Sequence, residues 1–189
     1  EPELEKPGPD DLYAVGVVGR VLQYMRLPEG PIKVLFEGMY RINWRPLAPE
    51  DQDNPFGTGA FPKVVVTPLP IMHHDGPETE ALVRATQEIL AEYAHVNKKV
   101  SPEILSAVSA LRDPGQLADT ILPLLKTEYP KKQEALELLD PAQRLEKVYE
   151  FLNTEMELVS MERRIKSRVK DQMDKNQREY YLSEQIKAI

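Results

Sequence analysis

The chain has 189 residues and a formal net charge of −7, with 41% hydrophobic and 29% charged residues. This length is enough for one domain, or for two small lobes with an extension, and the composition predicts a modest core with much solvated surface. The chain contains no cysteine, which excludes disulfides, thiolate metal sites and a cysteine nucleophile. No apolar run approaches the roughly 20 residues that a membrane-spanning helix needs.

The charge is unevenly distributed along the chain. Residues 141–189 hold 10 Lys/Arg and 9 Asp/Glu, whereas residues 1–140 hold 14 and 22. An acidic body repels phosphate groups, which argues against a general nucleic-acid binder. The near balance of charge after residue 140 favours a solvated or coiled helix over a phosphate-binding arm.

Residues 1–70 are predicted to form a β-rich lobe. Three segments are dense in β-branched and aromatic residues, namely Tyr13–Arg26, Ile32–Phe36 and Lys63–Thr67. The segment Leu27-Pro28-Glu29-Gly30 fits a type I turn, because proline suits its second position and glycine its fourth. We therefore expect a β-hairpin from about 14 to 42, followed by a loop over Asp51–Gly59.

Residues 77–139 are predicted to form a helical lobe. A first helix is expected over Pro77–Lys98, where apolar residues recur near helical spacing. Ser101-Pro102 and Asp113-Pro114 each combine a capping residue with proline at the first helical position, so each should begin a helix. Pro123 should end or kink the second of these helices, and a short helix is expected over Lys132–Leu139.

Residues 140–189 are predicted to form one long helix. Asp140-Pro141 is a third start signal, and neither glycine nor proline occurs between Ala142 and Ile189. The apolar spacing along this helix is not a strict heptad, so we expect only partial coiled-coil character. The residues predicted to form a helix–helix interface are Leu152, Met156, Val159, Met161 and Ile165.

The chain carries no motif for nucleotide or peptide-bond chemistry. Gly57-Thr58-Gly59 is too short for a phosphate loop, and neither Gly-x-Ser-x-Gly nor His-Glu-x-x-His occurs. His73-His74 beside Asp75 lacks a third ligand at metal-binding spacing, so a solvated linker is the preferred interpretation. Asp113, Asp119 and Asp140 are interpreted as helix caps or surface charges.

The last 14 residues, Asn176–Ile189 with the sequence NQREYYLSEQIKAI, resemble nearly residue for residue the end of the long helix that leads into the ATPase module of the Lon family of ATP-dependent proteases. The resemblance extends over nearly the whole chain. The predicted hairpin is similar to the N-terminal domain of that family at Gly16, Val21, Gln23, Leu27-Pro28, Gly30, Lys33-Val34-Leu35, Glu37-Gly38 and Arg41. Further similar positions are Asp113-Pro114, Leu117-Ala118-Asp119 and Arg144-Leu145.

The resemblance implies an α+β fold with three parts. These are a β-rich lobe with an incomplete PUA-like sheet, because the family's first strands are absent, then a small helical bundle and the long helix. The implied parent is a homohexameric, cytoplasmic AAA+ serine protease of protein quality control, also called endopeptidase La. Its ATP, Mg and Ser-Lys protease sites lie in modules outside this chain, so we expect no cofactor, metal site or catalytic residue here.

The expected partners are unfolded or damaged proteins and sister subunits of a homohexamer, without membrane contact. Substrate contact is predicted at an apolar patch on the hairpin tip, formed by Tyr24, Met25, Leu27, Pro28, Pro31 and Ile32. Two alternatives remain open. One is a coiled-coil spacer or oligomerisation piece, and the other is a DNA-binding module that uses the basic stretch Arg163–Lys170, where a solvated helical face is the competing interpretation.

Overall fold

The structure is a computed structural model that describes residues 7–26, 30–48, 50–51, 53–58, 61–73, 75–96 and 100–187, with side chains up to 184. The chain divides into two compact units. The first comprises Glu1–His73 with Gln133–Leu139, and the second comprises His74–Lys132 with Asp140–Ile189. None of the described helices is long and apolar enough to cross a membrane.

The first unit is built on a three-stranded antiparallel sheet in the order β1-β2-β3. The strands are β1 (Val15–Arg26), β2 (Ile32–Pro46) and β3 (Val64–Pro68). The predicted hairpin is confirmed, and its second strand continues four residues beyond residue 42. The predicted turn at Leu27–Gly30 lies outside the described residues except for Gly30.

Two irregularities interrupt the pairing of β1 with β2. The register shifts between Val18 and Gly19, and again between Val21 and Gln23, so that Leu22 is an extra residue on β1. Gly19 lies in the first irregularity, and a Cβ atom there would come within 3.3 Å of the Glu37 carbonyl oxygen. Bulges of this kind change which side chains share a face of the sheet.

Side-chain hydrogen bonds attach other segments to the sheet. Arg41 donates from Nε to the Leu136 carbonyl at 3.0 Å, and Gln133 donates from Nε2 to the Val15 carbonyl at 2.9 Å. Trp44 donates from Nε1 to the Tyr13 carbonyl at 2.6 Å. The bonds that join Arg41 to Leu136 and Gln133 to Val15 explain why Gln133–Leu139 belongs to the sheet unit, although the sequence pattern placed it in the helical lobe.

The described helices are α1 (Pro77–Ala94), α2 (Pro102–Ala110), α3 (Pro114–Ile121), α4 (Tyr129–Glu137) and α5 (Pro141–Lys187). α1 ends earlier than predicted, because the N–H groups of His95 and Val96 donate to carbonyls three residues back and tighten the turn. α4 begins three residues earlier than predicted, with Pro130 in its first turn, where no donor is needed.

The three predicted helix starts are confirmed by their capping bonds. The side chain of Ser101 accepts from the Ile104 N–H, and that of Asp113 accepts from the Gln116 N–H at 2.6 Å. Asp140 accepts from two backbone N–H groups of α5, at 2.8 and 3.2 Å. Pro123 lies in a 3₁₀ turn that directly follows α3, as its position predicts.

The core of the second unit is formed where α5 packs against α1 and α3. Its largest fully buried side chains come from all three helices and include Leu90, Tyr93, Leu117, Ile121, Leu145 and Leu152. The first turns of α5 are therefore part of the helical unit rather than a separate zone. The compact units therefore divide the chain differently from the three predicted zones. The reason is that side chains from the first turns of α5 pack with those of α1 and α3 in one core.

Candidate functional site

One face of the β1–β2 hairpin carries a group of apolar side chains. Pairing places Tyr24 opposite Val34, Arg26 opposite Ile32, and Val21 opposite Phe36. Because directly opposed residues share a face and alternate residues of a strand do so too, these three pairs lie on one side of the sheet. We call this surface the apolar hairpin face, formed by Val21, Tyr24, Ile32, Val34 and Phe36.

The apolar hairpin face is open to solvent over the described residues. Tyr24 is 74% exposed and Phe36 is 64% exposed, and the other three members are also classed as exposed. Soluble monomers rarely expose large contiguous apolar patches, so such a face is a candidate interaction surface. Its only charged neighbour among these pairs is Arg26, which lies opposite Ile32.

The predicted tip patch is divided between the two faces of the hairpin. Tyr24 and Ile32 belong to the apolar hairpin face, but Met25 points to the opposite face, where Lys33 is its partner. Pro31 is exposed just before β2 begins. Leu27 and Pro28 lie outside the described residues, so their place relative to the other tip residues stays a prediction.

Sequence reasoning missed three members of this face, namely Val21, Val34 and Phe36. Val34 and Phe36 alternate with Ile32 along β2, and this period of two was an available signal for a shared face. Val21 and Tyr24 are three residues apart, a spacing that would put them on opposite faces of a regular strand. They share a face because Leu22 is the extra residue of the second register shift.

The predicted interface on α5 is divided by burial. Leu152 has 0% exposure and belongs to the core of the helical unit, so it is not available to another chain while that unit is folded. Met156 and Val159 are half-buried, and Met161 and Ile165 are exposed by more than half. The change from buried to exposed occurs over two turns, where α5 passes beyond α1 and α3.

Hydrogen bonds to one carboxylate, that of Glu155, hold α5 at the point where it leaves the core. Glu155 accepts at Oε1 from the backbone N–H and the hydroxyl of Thr127, at 3.1 and 3.2 Å. The hydroxyl of Tyr93 on α1 donates to Glu155 Oε2. Three separate segments of the helical unit therefore meet at one side chain of α5.

An ion pair joins α3 to α5. Arg144 Nη1 lies 3.2 and 3.1 Å from the two carboxylate oxygens of Asp119, and the side chains are 6% and 43% exposed respectively. Asp119 is thus the partner of a buried guanidinium rather than a free surface charge. The sequence placed both residues in family-like segments, but nothing in their spacing indicated that they pair.

Within the described ranges, no three His, Cys, Asp or Glu side chains gather where they could hold a metal ion, and His74 lies outside those ranges. Hydrogen bonds from the Ser101 hydroxyl and from its own backbone N–H lower the pKa of Glu103, which is exposed in the first turn of α2. A groove of about 500 Å³ beside α1 is lined by charges of both signs, including Asp75, Glu80, Arg84 and Arg112.

Comparisons with known proteins agree on one family. Residues 1–154 match the family model of the ATP-dependent protease La (LON) substrate-binding domain. The chain is 56% identical over 190 residues to the Lon protease of Nitratidesulfovibrio vulgaris, an alignment that covers 100% of this chain and 22% of that protein. It is 39% identical to the Lon protease of Escherichia coli, covering 100% of this chain and 23% of that protein.

A solved structure supports the same assignment. The N-terminal domain of Mycobacterium avium complex Lon protease superposes with a TM-score of 0.57 at 25% identity, covering 80% of this chain and 74% of that one. This similarity agrees with the expected α+β fold of sheet, helices and long C-terminal helix. The chain therefore belongs to the family of ATP-dependent protease La (LON) substrate-binding domains.

Proposed function

We propose that this chain binds exposed apolar segments of unfolded or damaged proteins for an ATP-dependent protease of which it forms one part. The observation that carries this proposal is the apolar hairpin face, with Tyr24 and Phe36 as its most exposed members. Aromatic side chains bury a large apolar area, and the hydrophobic effect that drives this burial is non-directional, so they suit recognition of varied sequences.

The same proposal assigns no chemistry to this chain. It spans about a fifth of the length of the relatives that it matches, and ATP hydrolysis and peptide cleavage belong to modules elsewhere in the parent. The parent is proposed to be a cytoplasmic homohexamer. Several copies of a weak site would then act together, because linked copies raise the effective concentration of the second binding event.

An assembly role is the second candidate function, and the length of α5 favours it. α5 runs over 47 residues, which corresponds to roughly 70 Å at 1.5 Å per residue. A helix of this length can space the binding unit from the rest of the parent and contact sister subunits. This role does not compete with substrate binding, since it uses a different element.

The hairpin proposal is tested by two double variants with matched chemistry. Tyr24→Ser with Phe36→Ser removes apolar area from the apolar hairpin face, whereas Met25→Ser with Leu35→Ser removes it from the opposite face. Binding of a reduced, alkylated and therefore unfolded model protein is measured by fluorescence anisotropy, with the melting temperature as a check on folding. We expect a several-fold loss of affinity for the first variant and little change for the second.

The outcomes are distinguishable. Equal losses for the two variants would show that the face is not the site, and unchanged binding for both would place substrate contact elsewhere. A fall in melting temperature by many degrees for the first variant would identify Tyr24 and Phe36 as structural residues and contradict the proposal.

A further inference from the structure

The half of the hairpin nearer its tip is a two-stranded ribbon over the described residues. β3 pairs with β2 only at residues 42–46, and one further backbone bond joins the Leu69 N–H to the Arg41 carbonyl. Over residues 32–40, β2 pairs with β1 alone, and every residue of this stretch is exposed. Two strands by themselves are marginally stable in water, so a further strand would stabilise this ribbon.

The two strands of this ribbon differ in regularity. β1 is interrupted at Leu22, the extra residue of the second register shift. β2 is regular over residues 32–38, which we call the β2 edge, because each of them has a partner on β1 and the first register shift passes over Met39. A bulge disrupts the row of backbone donors and acceptors and is one way in which native sheets blunt an edge. The β2 edge is therefore the better template for another strand.

The β2 edge has backbone hydrogen-bonding groups that its pairing with β1 does not use. Alternate residues of a paired strand turn their N–H and C=O groups away from the partner strand. In the part of the chain that the structure describes, none of these outward groups of the β2 edge takes part in a hydrogen bond. A row of alternating donors and acceptors is matched by another extended backbone, as in strand addition to a sheet edge.

The sequence of the β2 edge, IKVLFEG, is complementary to its own reverse. Antiparallel pairing of two copies about Leu35 places Lys33 of each copy opposite Glu37 of the other. The same register places Val34 opposite Phe36. Opposite charges, and an aromatic ring against a β-branched side chain, are both favourable cross-strand pairs. Lys33 and Glu37 are exposed, and neither takes part in an ion pair within the described structure.

Charge pairing selects this register among the neighbouring ones. A shift of the second copy by two residues puts Lys33 opposite Leu35 in one direction and Glu37 opposite Leu35 in the other. A shift by one residue brings the two apolar hairpin faces onto opposite sides of the joined sheet. The ends of the regular stretch agree with the same centre, because Pro31 and Met39 lie at equal distances along the chain from Leu35.

We propose that two copies of this chain associate by antiparallel pairing of their β2 edges about Leu35, so that two hairpins form one four-stranded sheet. The contact is isologous, because each copy offers the same strand to the other. It uses a different element from the interface predicted on α5.

The joined sheet carries one continuous apolar surface. Directly opposed residues share a face of a sheet, so Val34 and Phe36 of each copy lie beside those of the other. The two apolar hairpin faces therefore adjoin on the same side, and each copy supplies half of a wider surface. Pairing at the edge uses backbone groups and leaves this surface open, so the proposal does not depend on what the apolar hairpin face binds.

Charge variants of the 189-residue chain test the proposed register. Sedimentation equilibrium measures the dissociation constant of the dimer, and circular dichroism checks folding. Lys33→Glu and Glu37→Lys each set like charges opposite each other twice per dimer, and each should raise the dissociation constant at least ten-fold. An equimolar mixture of these two variants restores opposite charges and should dimerise, as should the chain that carries both substitutions. Arg26→Glu is the matched control, since it reverses a charge on β1 rather than on the β2 edge, and should change the dissociation constant little.

Cysteine cross-linking reads the register directly, because the chain has no cysteine of its own. Leu35→Cys puts two thiols at directly opposed positions, where Cα atoms roughly 4.5–5.5 Å apart allow a disulfide. Lys33→Cys puts its two thiols about four residues apart along the strands, or roughly 13 Å, and should not form a disulfide with its own copy. A mixture of Lys33→Cys and Glu37→Cys should cross-link one variant to the other.

Three results would overturn the proposal. One is a chain that stays monomeric at every concentration, and another is a dimer whose dissociation constant is the same for the unaltered chain, Lys33→Glu and Glu37→Lys. The third is cross-linking of Lys33→Cys to its own copy as readily as Leu35→Cys. Protection of the amides of residues 32–38 from hydrogen exchange by an unfolded model protein, in a chain that remains monomeric, would assign the β2 edge to substrate and likewise contradict it.

Discussion

At the scale of single residues, the contact with the clearest energetic consequence is the ion pair between α3 and α5. Arg144 is almost fully buried, so its guanidinium needs an anionic partner to offset the loss of hydration. Asp119 provides two oxygens at 3.2 and 3.1 Å. The pair therefore fixes how α5 meets α3 more than it adds net stability.

Removing Asp119 should destabilise the helical unit. Asp119→Ala leaves the buried Arg144 without this acceptor, and we expect a loss of about 2 kcal/mol in the free energy of unfolding. This is less than for a fully buried pair, since Asp119 is 43% exposed. Urea denaturation followed by circular dichroism measures the change.

Asp174→Ala is the matched control, because Asp174 is an exposed aspartate of α5. Its effect should stay within about 0.5 kcal/mol, as is usual for surface substitutions. Similar small effects for Asp119→Ala and Asp174→Ala would mean that Arg144 finds an adequate substitute partner or water.

At the scale of elements, α5 performs two tasks along one continuous helix. Its first turns supply core side chains, including Leu145 and Leu152, and its later turns expose apolar ones. Glu155 lies where α5 passes from buried to exposed side chains, and it accepts hydrogen bonds from Thr127 and Tyr93. An apolar residue of α5 therefore contributes to the core before Glu155 and is exposed on the surface a few turns after it.

Lysine substitutions should reveal where the side chains of α5 pass from buried to exposed. Met156→Lys places a charge on a half-buried position and should cost about 1–3 kcal/mol in unfolding free energy. Met161→Lys, only five residues later, falls on a side chain that is 55% exposed and should cost less than about 0.5 kcal/mol. Thermal and urea unfolding of the two variants would measure both losses of unfolding free energy. Equal losses would contradict a boundary between buried and exposed positions at this part of α5.

At the scale of the whole molecule, the chain combines an exposed apolar hairpin face with a long helix, and its sequence contains no phosphate loop, Gly-x-Ser-x-Gly or His-Glu-x-x-His motif. We expect the purified 189-residue chain to show neither ATPase nor peptidase turnover. A coupled phosphate-release assay and a fluorogenic casein assay measure the two activities. Reproducible turnover that a point substitution in this chain abolishes would refute the expectation.

The local features of this fold were determined by the sequence alone. Ser101, Asp113 and Asp140 each precede a proline, and this pairing located three helix starts because capping acts within four residues. Pro123 ended α3 for an equally local reason, the missing donor of its ring. The hairpin and the uninterrupted α5 followed from residue types and from the lack of breakers.

Only the tertiary structure decided which of these residues are available for function. Val21 and Tyr24 share a face because of the register shift at Leu22, and a strand's register depends on its partner rather than on its own pattern. Leu152 became core and Met161 became surface, although both belong to one helical apolar pattern, because α1 and α3 cover only the first turns of α5. Pairing of Arg144 with Asp119 likewise depends on helix packing, which brings together residues 25 positions apart in the chain.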